Sequence, residues 1–311
     1  MRNRYLRKIT ASEIDGQVRK VLRGLGNPKP PLRLDDVREL LKLDRQFYSK
    51  TSHGILRETV SRLKVAGKQI LRRPALLLEA ILHAELKALY VPDRKIILLD
   101  EDVPDIKQRW NESHEVIHSL LDWHGCVMLG DDRVTLNVSC HEQIEAEANF
   151  GAGRLLFLQE QFETVARDSE FTMENIRSLG RLFGNSITST LWRVVELADS
   201  PVVGMVSQHP HYTNDTFDPL QPSRYFIRSK SFEDRFSGID ELAVFRLIRS
   251  NCSWAKCGPL ADDEVVLIDD NGASHVFHFE AFHNRYETLS IFVHSYSTDK
   301  RVVVPSTVTV V

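Results

Sequence analysis

Residues 114–118 read His-Glu-Val-Ile-His, and this pentapeptide constrains the chain more than any other stretch. On a helix, His114 and His118 stand one turn apart and project from the same face. Two imidazoles so placed can share one metal ion. Glu115, beside the first of them, can then act as a proton carrier at the ion. The fold must therefore supply a helix through 114–118 and bring at least one further ligand to it. Asn111 is expected to be that helix's N-cap. The run Arg94–Asp100 before it, bounded by Pro92 and Pro104, reads as a short strand whose free edge could align an extended peptide across the metal.

Two histidines and a water leave a tetrahedral zinc one protein ligand short. His124 lies six residues after His118, the spacing of the longer H-E-x-x-H-x-x-G-x-x-H pattern, but Leu121 stands where that pattern has glycine. A helix running through Leu121 would carry His124 away. Asp122, four residues after His118, lies too far along a straight helix to reach the same ion. Glu145 belongs to a separate predicted helix, Cys140–Phe157, that can pack across the first, and it is the favoured third ligand. Asn149 shares its face, either bonding a ligand carboxylate or capping the packing between helices. Glu147 points to another face, where solvation is expected.

His114-Glu115-Val116-Ile117-His118, followed by Glu145-Ala146-Glu147-Ala148-Asn149 and Leu155-Leu156, resembles the ImmA/IrrE family of metallopeptidases. The resemblance covers roughly residues 15–200 and is strongest over 94–157. Matched residue by residue, it implies a zinc site of His114, His118 and Glu145, with Glu115 as the catalytic general base. It also implies a mainly helical, zincin-like domain with a small sheet. Arg109-Trp110 occupies the place of the family's Arg-Phe pair, and the helical stretch 172–198, joined at Phe183-Gly184-Asn185-Ser186, is similar to its helix-turn-helix-like segment. The chain departs from the family at Phe157-Leu158, in place of Met-Pro, and at Gly151 and Gly153, where bulkier residues are usual. The activity implied is hydrolysis of a peptide bond in a regulatory protein, a transcriptional repressor of helix-turn-helix type. The alternatives are a catalytically silent zinc-binding regulator and a DNA-binding regulator that uses 172–198.

The rest of the chain sets the frame. Helical periodicity is expected over 11–25, 33–43, 57–73 and 74–86, and strands over 224–228, 264–269, 274–282 and 288–295, with a hairpin turn at Asp269-Asp270-Asn271-Gly272. A boundary in 200–222 would separate a metallopeptidase-like domain, 1–200, from a mixed α/β domain, 206–311, that senses a signal or selects the substrate. The class is α+β. The net charge of −3 is unevenly spread, with 19 Lys and Arg against 7 Asp and Glu in residues 1–75. The basic run 57–73 lacks stacking aromatics, so nucleic acid is not an expected partner. No apolar run approaches a membrane span, no signal peptide is visible, and four cysteines in 311 residues make no disulfide framework; a cytoplasmic protein is expected. Cys252 and Cys257 have a zinc-compatible spacing near His275, His278, His283 and His294. Without a second cysteine pair, packed or surface histidines are the expected reading.

Overall fold

A computed structural model describes residues 2–48, 88–91, 95–124, 138–215 and 217–298. The basic helix expected at 57–73 and the one at 74–86 lie outside the described residues. The chain divides into two compact units, Arg4–Asp168 with Ser178–Ser189, and Met1–Asn3 with Ser169–Arg177 and Thr190–Val311. Helices and sheets are both well represented, as the α+β reading expects. No helix among the described residues is long and apolar enough to cross a membrane.

The first unit opens with helices α1 (Lys8–Gly24) and α2 (Leu34–Leu41). Ile14, Val18, Val21 and Leu22 recur at helical spacing along α1, and their burial fixes its inner face. Strands β1 (Asp44–Tyr48), β2 (Ala88–Val91) and β3 (Ile96–Asp100) form a sheet in the order β1-β3-β2. β1 runs parallel to β3 and β2 antiparallel to it, Tyr90 facing Ile97. β3 is therefore the middle strand, and the free edge expected for 94–100 does not exist. Its sequence carries the reason: Ile97, Leu98 and Leu99 are all buried, and an unbroken apolar run buries both faces, as central strands do.

Helix α3 (Asp105–Leu120) carries the two histidines of the pentapeptide. It starts seven residues earlier than expected, with Pro104 at the N-cap in place of Asn111 and Asp105 in the first turn, so Asn111 lies inside the helix. Pro104 costs the helix no hydrogen bond at that position, because the first turn's N–H groups have no intrahelical acceptors. Glu112, nearly buried, accepts from Arg38 Nε at 2.7 Å and Arg45 Nη1 at 3.1 Å, which ties α3 to α2 and β1. Helix α4 (Val138–Leu156) packs against α3, with Ala148, Gly151 and Ala152 buried.

Gly151 is what lets the two helices approach. A Cβ there would lie 2.7 Å from Ile117 Cγ2, and Ile117 is fully buried with no room to yield. At Gly153 a Cβ would meet only Trp110, at an ordinary 3.9 Å. The bulkier residues usual at these positions thus have different consequences. Gly151→Ala is expected to lower stability by about 1–2 kcal/mol, the overpacking strain outweighing the gain in helix propensity. Gly153→Ala is expected to raise it by up to ~1 kcal/mol. Urea unfolding of the two variants beside the wild type tests the pair, and equal behaviour would refute the close-approach account.

Beyond α4, Leu158 and Gln159 adopt positive φ, and helix α5 (Glu160–Arg167) follows. Phe157, Phe162 and Phe183 close this part of the core, with ring centroids 4.6 and 5.1 Å from Phe162 to its two neighbours. The expected helix pair at 172–198 is present as α6 (Met173–Phe183) and α7 (Ile187–Leu197). Thr190, Leu191, Arg193, Val194 and Val195 of α7 are buried, and Leu179 and Phe183 of α6 are too, whereas Leu182 is exposed.

The second unit is built on a five-stranded antiparallel sheet in the order β5-β4-β8-β7-β6. Its strands are β4 (Val202–Ser207), β5 (Ser223–Arg228), β6 (Gly258–Ile268), β7 (Ser274–His283) and β8 (Thr288–Thr298). The four expected strands are found, and the Asp269–Gly272 turn joins β6 to β7, with Asp269 Oδ1 accepting from Asn271 and Ala273 N–H. β4 had no place in the sequence reading, although every one of its residues is buried. Helices α8 (Lys230–Arg235) and α9 (Glu241–Asn251) were also not anticipated. Both carry a side-chain cap, Ser229 accepting from Phe232 N–H and Asp240 from Ala243 N–H. Phe226, Phe232, Phe236, Phe277, Phe279 and Phe292 fill the core.

Candidate metal centre

His114 and His118 face one another across a single turn of α3, their Nε2 atoms 3.0 Å apart. Glu145 of α4 reaches both, with Oε2 3.2 Å from His114 Nε2 and Oε1 3.7 Å from His118 Nε2. The three predicted ligands are thus brought together, and they are the one His/Cys/Asp/Glu group with converging ligand atoms among the described residues. Ligands of a tetrahedral zinc at bond lengths near 2.0–2.1 Å stand roughly 3.3 Å apart, so the spacing suits that ion.

The hydrogen bonds behind the histidines decide which atoms face inward. Asn149 Oδ1 lies 3.1 Å from His114 Nδ1, so that nitrogen donates and Nε2 presents a lone pair to the centre. Asn149 therefore bonds the His114 ring, where a carboxylate contact or helix packing was expected of it. His118 Nδ1 lies 2.9 Å from His124 Nδ1, and His124 Nε2 lies 3.1 Å from Glu147 Oε2. An ionised carboxylate only accepts, so His124 Nε2 donates to it, His124 Nδ1 accepts from His118, and His118 Nε2 is left with a lone pair. Acceptor atoms of all three side chains thus converge within 4.8 Å of one another, the arrangement a bound cation asks of its ligands. The donor set therefore fits zinc.

The electrostatics agree. Burial opposes a charge on His114, but the Glu145 carboxylate beside it, helped by Glu115 and Asn149, prevails and raises its pKa above the usual imidazole value. Burial lowers the pKa of His124 despite the Glu147 contact, which disfavours a charge on its ring. Burial also works against the charge of Glu147, yet hydrogen bonds from Trp123 Nε1 at 2.8 Å, Gln143 Nε2 at 2.9 Å and His124 hold its carboxyl below the ordinary range. Glu115 is buried, and its desolvation pushes the carboxyl up to about 7, against the pull of His114 and of the Tyr90 N–H. That N–H, from β2, donates to Glu115 Oε2 at 2.7 Å, so Oε1 is the oxygen left to exchange a proton.

Two expectations about neighbours are corrected. His124 is not carried away from the metal helix, because α3 ends at Leu120 and Leu121 turns extended with φ −101° and ψ 99°. No glycine is needed for that stop, since any residue adopts such angles. The chain folds back, His124 N–H bonds to Leu121 O at 2.8 Å, and the ring lands behind His118 rather than beside Glu145. Glu147 is not solvated; it is 2% exposed and anchors His124. The signal for both was in the sequence, as a histidine and an acid beyond the ligand count, but only the helix stop shows that they meet. In the second unit Cys252 is buried, its thiol pushed up to about 12 by burial, while Cys257 is exposed. His275 bonds to Asp269 and His294, and His283 to Thr288, as packed histidines do.

No protein-family model matches the chain, and no curated protein does. Among solved structures, one named "Mycobacterium tuberculosis transcriptional regulator" is similar in shape, with a TM-score of 0.49 over 91% of this chain and 88% of that one, at 11% identity. At that distance the chemistry of the centre rests on this chain's own residues.

Proposed function

We propose that the protein is a zinc-dependent endopeptidase with a zincin-like metal domain, resembling the ImmA/IrrE family, that cuts a regulatory protein. The observation that carries this reading is the convergence of His114 Nε2, His118 Nε2 and the Glu145 carboxylate, each histidine held by its other nitrogen so that a lone pair points inward. Those three residues would hold the ion. Zinc, when bound, supplies Lewis acidity, polarising a carbonyl and making a water nucleophilic near neutral pH. The remaining work falls to the chain. Glu115 Oε1 takes a proton from the attacking water and returns it to the leaving nitrogen, while the Tyr90 N–H fixes Oε2. In the metal-free chain burial raises the Glu115 carboxyl to about 7, which favours a residue that both takes up and releases a proton near neutral pH.

The resemblance supplies the substrate class, a repressor of helix-turn-helix type. Burial of α7 weighs against the DNA-binding alternative, because a recognition helix needs a free face to enter a groove. The test is metal binding by the full chain. Native mass spectrometry and zinc titration are expected to show one equivalent of tightly held zinc, removed by a chelator and restored by zinc. A wild-type protein that takes up no zinc when it is supplied would overturn the reading.

A further inference from the structure

Behind the ligand His118 stands a second layer that no part of the peptidase reading requires. His124 has no solvent exposure, Glu147 is 2% exposed, and the two form a continuous chain of hydrogen bonds with His118. Glu147 is itself fixed from two other sides. Trp123 Nε1 donates to Oε2 and Gln143 Nε2 to Oε1. Burying a carboxylate and an imidazole costs stability unless each finds partners; Trp123 and Gln143 anchor Glu147, and its bond to His124 leads on to His118. His124 cannot be a fourth ligand. Its Nδ1 faces His118 Nδ1 and its Nε2 faces Glu147, so neither lone pair nor proton points at the centre.

We infer that His124 and Glu147 are positioning residues for the metal centre, a carboxylate–imidazole relay that fixes His118 as its Nδ1–H tautomer and so commits Nε2 to the ion. A carboxylate bonded directly to a ligating histidine is a common device for setting tautomer and basicity. Here it acts through a second ring. The direction of the relay is set at its far end, because Glu147 can only accept. Asn149 does the same for His114 with a single contact. The two histidines of one pentapeptide are thus both held from α4, His114 by Asn149 directly and His118 by Glu147 through His124 of the segment after α3.

This inference rests on the zinc reading, and the experiment separates the two. In the metal-free full chain with ¹⁵N-labelled histidine, long-range ¹H–¹⁵N correlation at pH 8 is expected to show His118 as Nδ1–H and His124 as Nε2–H. The opposite tautomer at His118 overturns the relay without any variant. Zinc titration supplies the second readout. His124→Leu, which removes the acceptor behind His118, is expected to weaken zinc binding about 10–100-fold. Glu147→Gln, which keeps an acceptor oxygen for His124 but not the charge, is expected to lose less than about tenfold. A His124→Leu protein that binds zinc within twofold of the wild type overturns the relay alone. Absence of zinc from the wild type overturns the metal reading beneath it, whatever the tautomer.

Discussion

Glu115→Gln is expected to abolish hydrolysis while leaving zinc bound. The side chain is not a ligand: its Oε2 is engaged by the Tyr90 N–H, and an amide oxygen can accept the same bond. What glutamine cannot do is take a proton, and loss of a positioned general base costs about 10²–10⁴ in rate. A peptide library scored by mass spectrometry, digested by wild type and variant with equal zinc content, measures this. A variant that cuts as fast as the wild type would remove Glu115 from the mechanism. The same substitution has a stability signature in the metal-free protein. Burial raises the Glu115 carboxyl from 4.5 to about 7, so between those values the folded chain holds a proton that the unfolded chain has lost. Stability then falls as pH rises through that window, and the penalty is complete above about pH 7. Glutamine carries no such penalty. The metal-free variant should be more stable than metal-free wild type by about 3 kcal/mol at pH 8, the difference shrinking toward zero near pH 4.5. Urea unfolding at the two pH values decides it, and an equal difference at both would refute the assignment.

Glu145→Ala is expected to release the metal without harming the fold. Its side chain is 41% exposed, in contrast to the buried His118. Removing it opens no cavity, and exposed positions of this kind shift stability by only about 0.5 kcal/mol. Zinc affinity, however, loses one of three protein ligands and should fall by more than about 100-fold, beyond what outer contacts contribute. Zinc content after dialysis, read beside a thermal melt of the metal-free forms, tests both halves. Metal retained without Glu145 would mean that another residue completes the centre.

The grouping of His114, His118 and Glu145 was legible in the sequence because the constraint on it is local. His114 and His118 need only a helix, and Glu145 needs only a second helix with small residues facing the first. Their surroundings were not, and for a common reason. Glu147 does leave the face of Glu145, as its offset of two residues requires, but whether that face meets water depends on where residues 121–124 go. That path follows from a stop at Leu121 that no glycine or proline announces. The strand at 94–100 was found, and its consecutive apolar residues already argued for a central position; the edge role came from proximity to the metal helix rather than from its own pattern. β4 escaped because Val202–Ser207 adjoins a polar, proline-containing stretch, although its apolar run has the same central-strand character as β3. Asn111 looked like a cap because its residue type favours caps, yet Pro104 and Asp105 together form the stronger start signal.

The contact between Gly151 and Ile117 couples two positions that never touch the metal. A side chain gained at 151 is expected to need one trimmed at 117, or the helices part and Glu145 moves away from the histidine pair. A chimera taking α3 from one relative and α4 from another could keep every ligand and still lose the centre. Keeping the histidines and Glu145 together therefore depends on the fit at the helix crossing as much as on the motif itself.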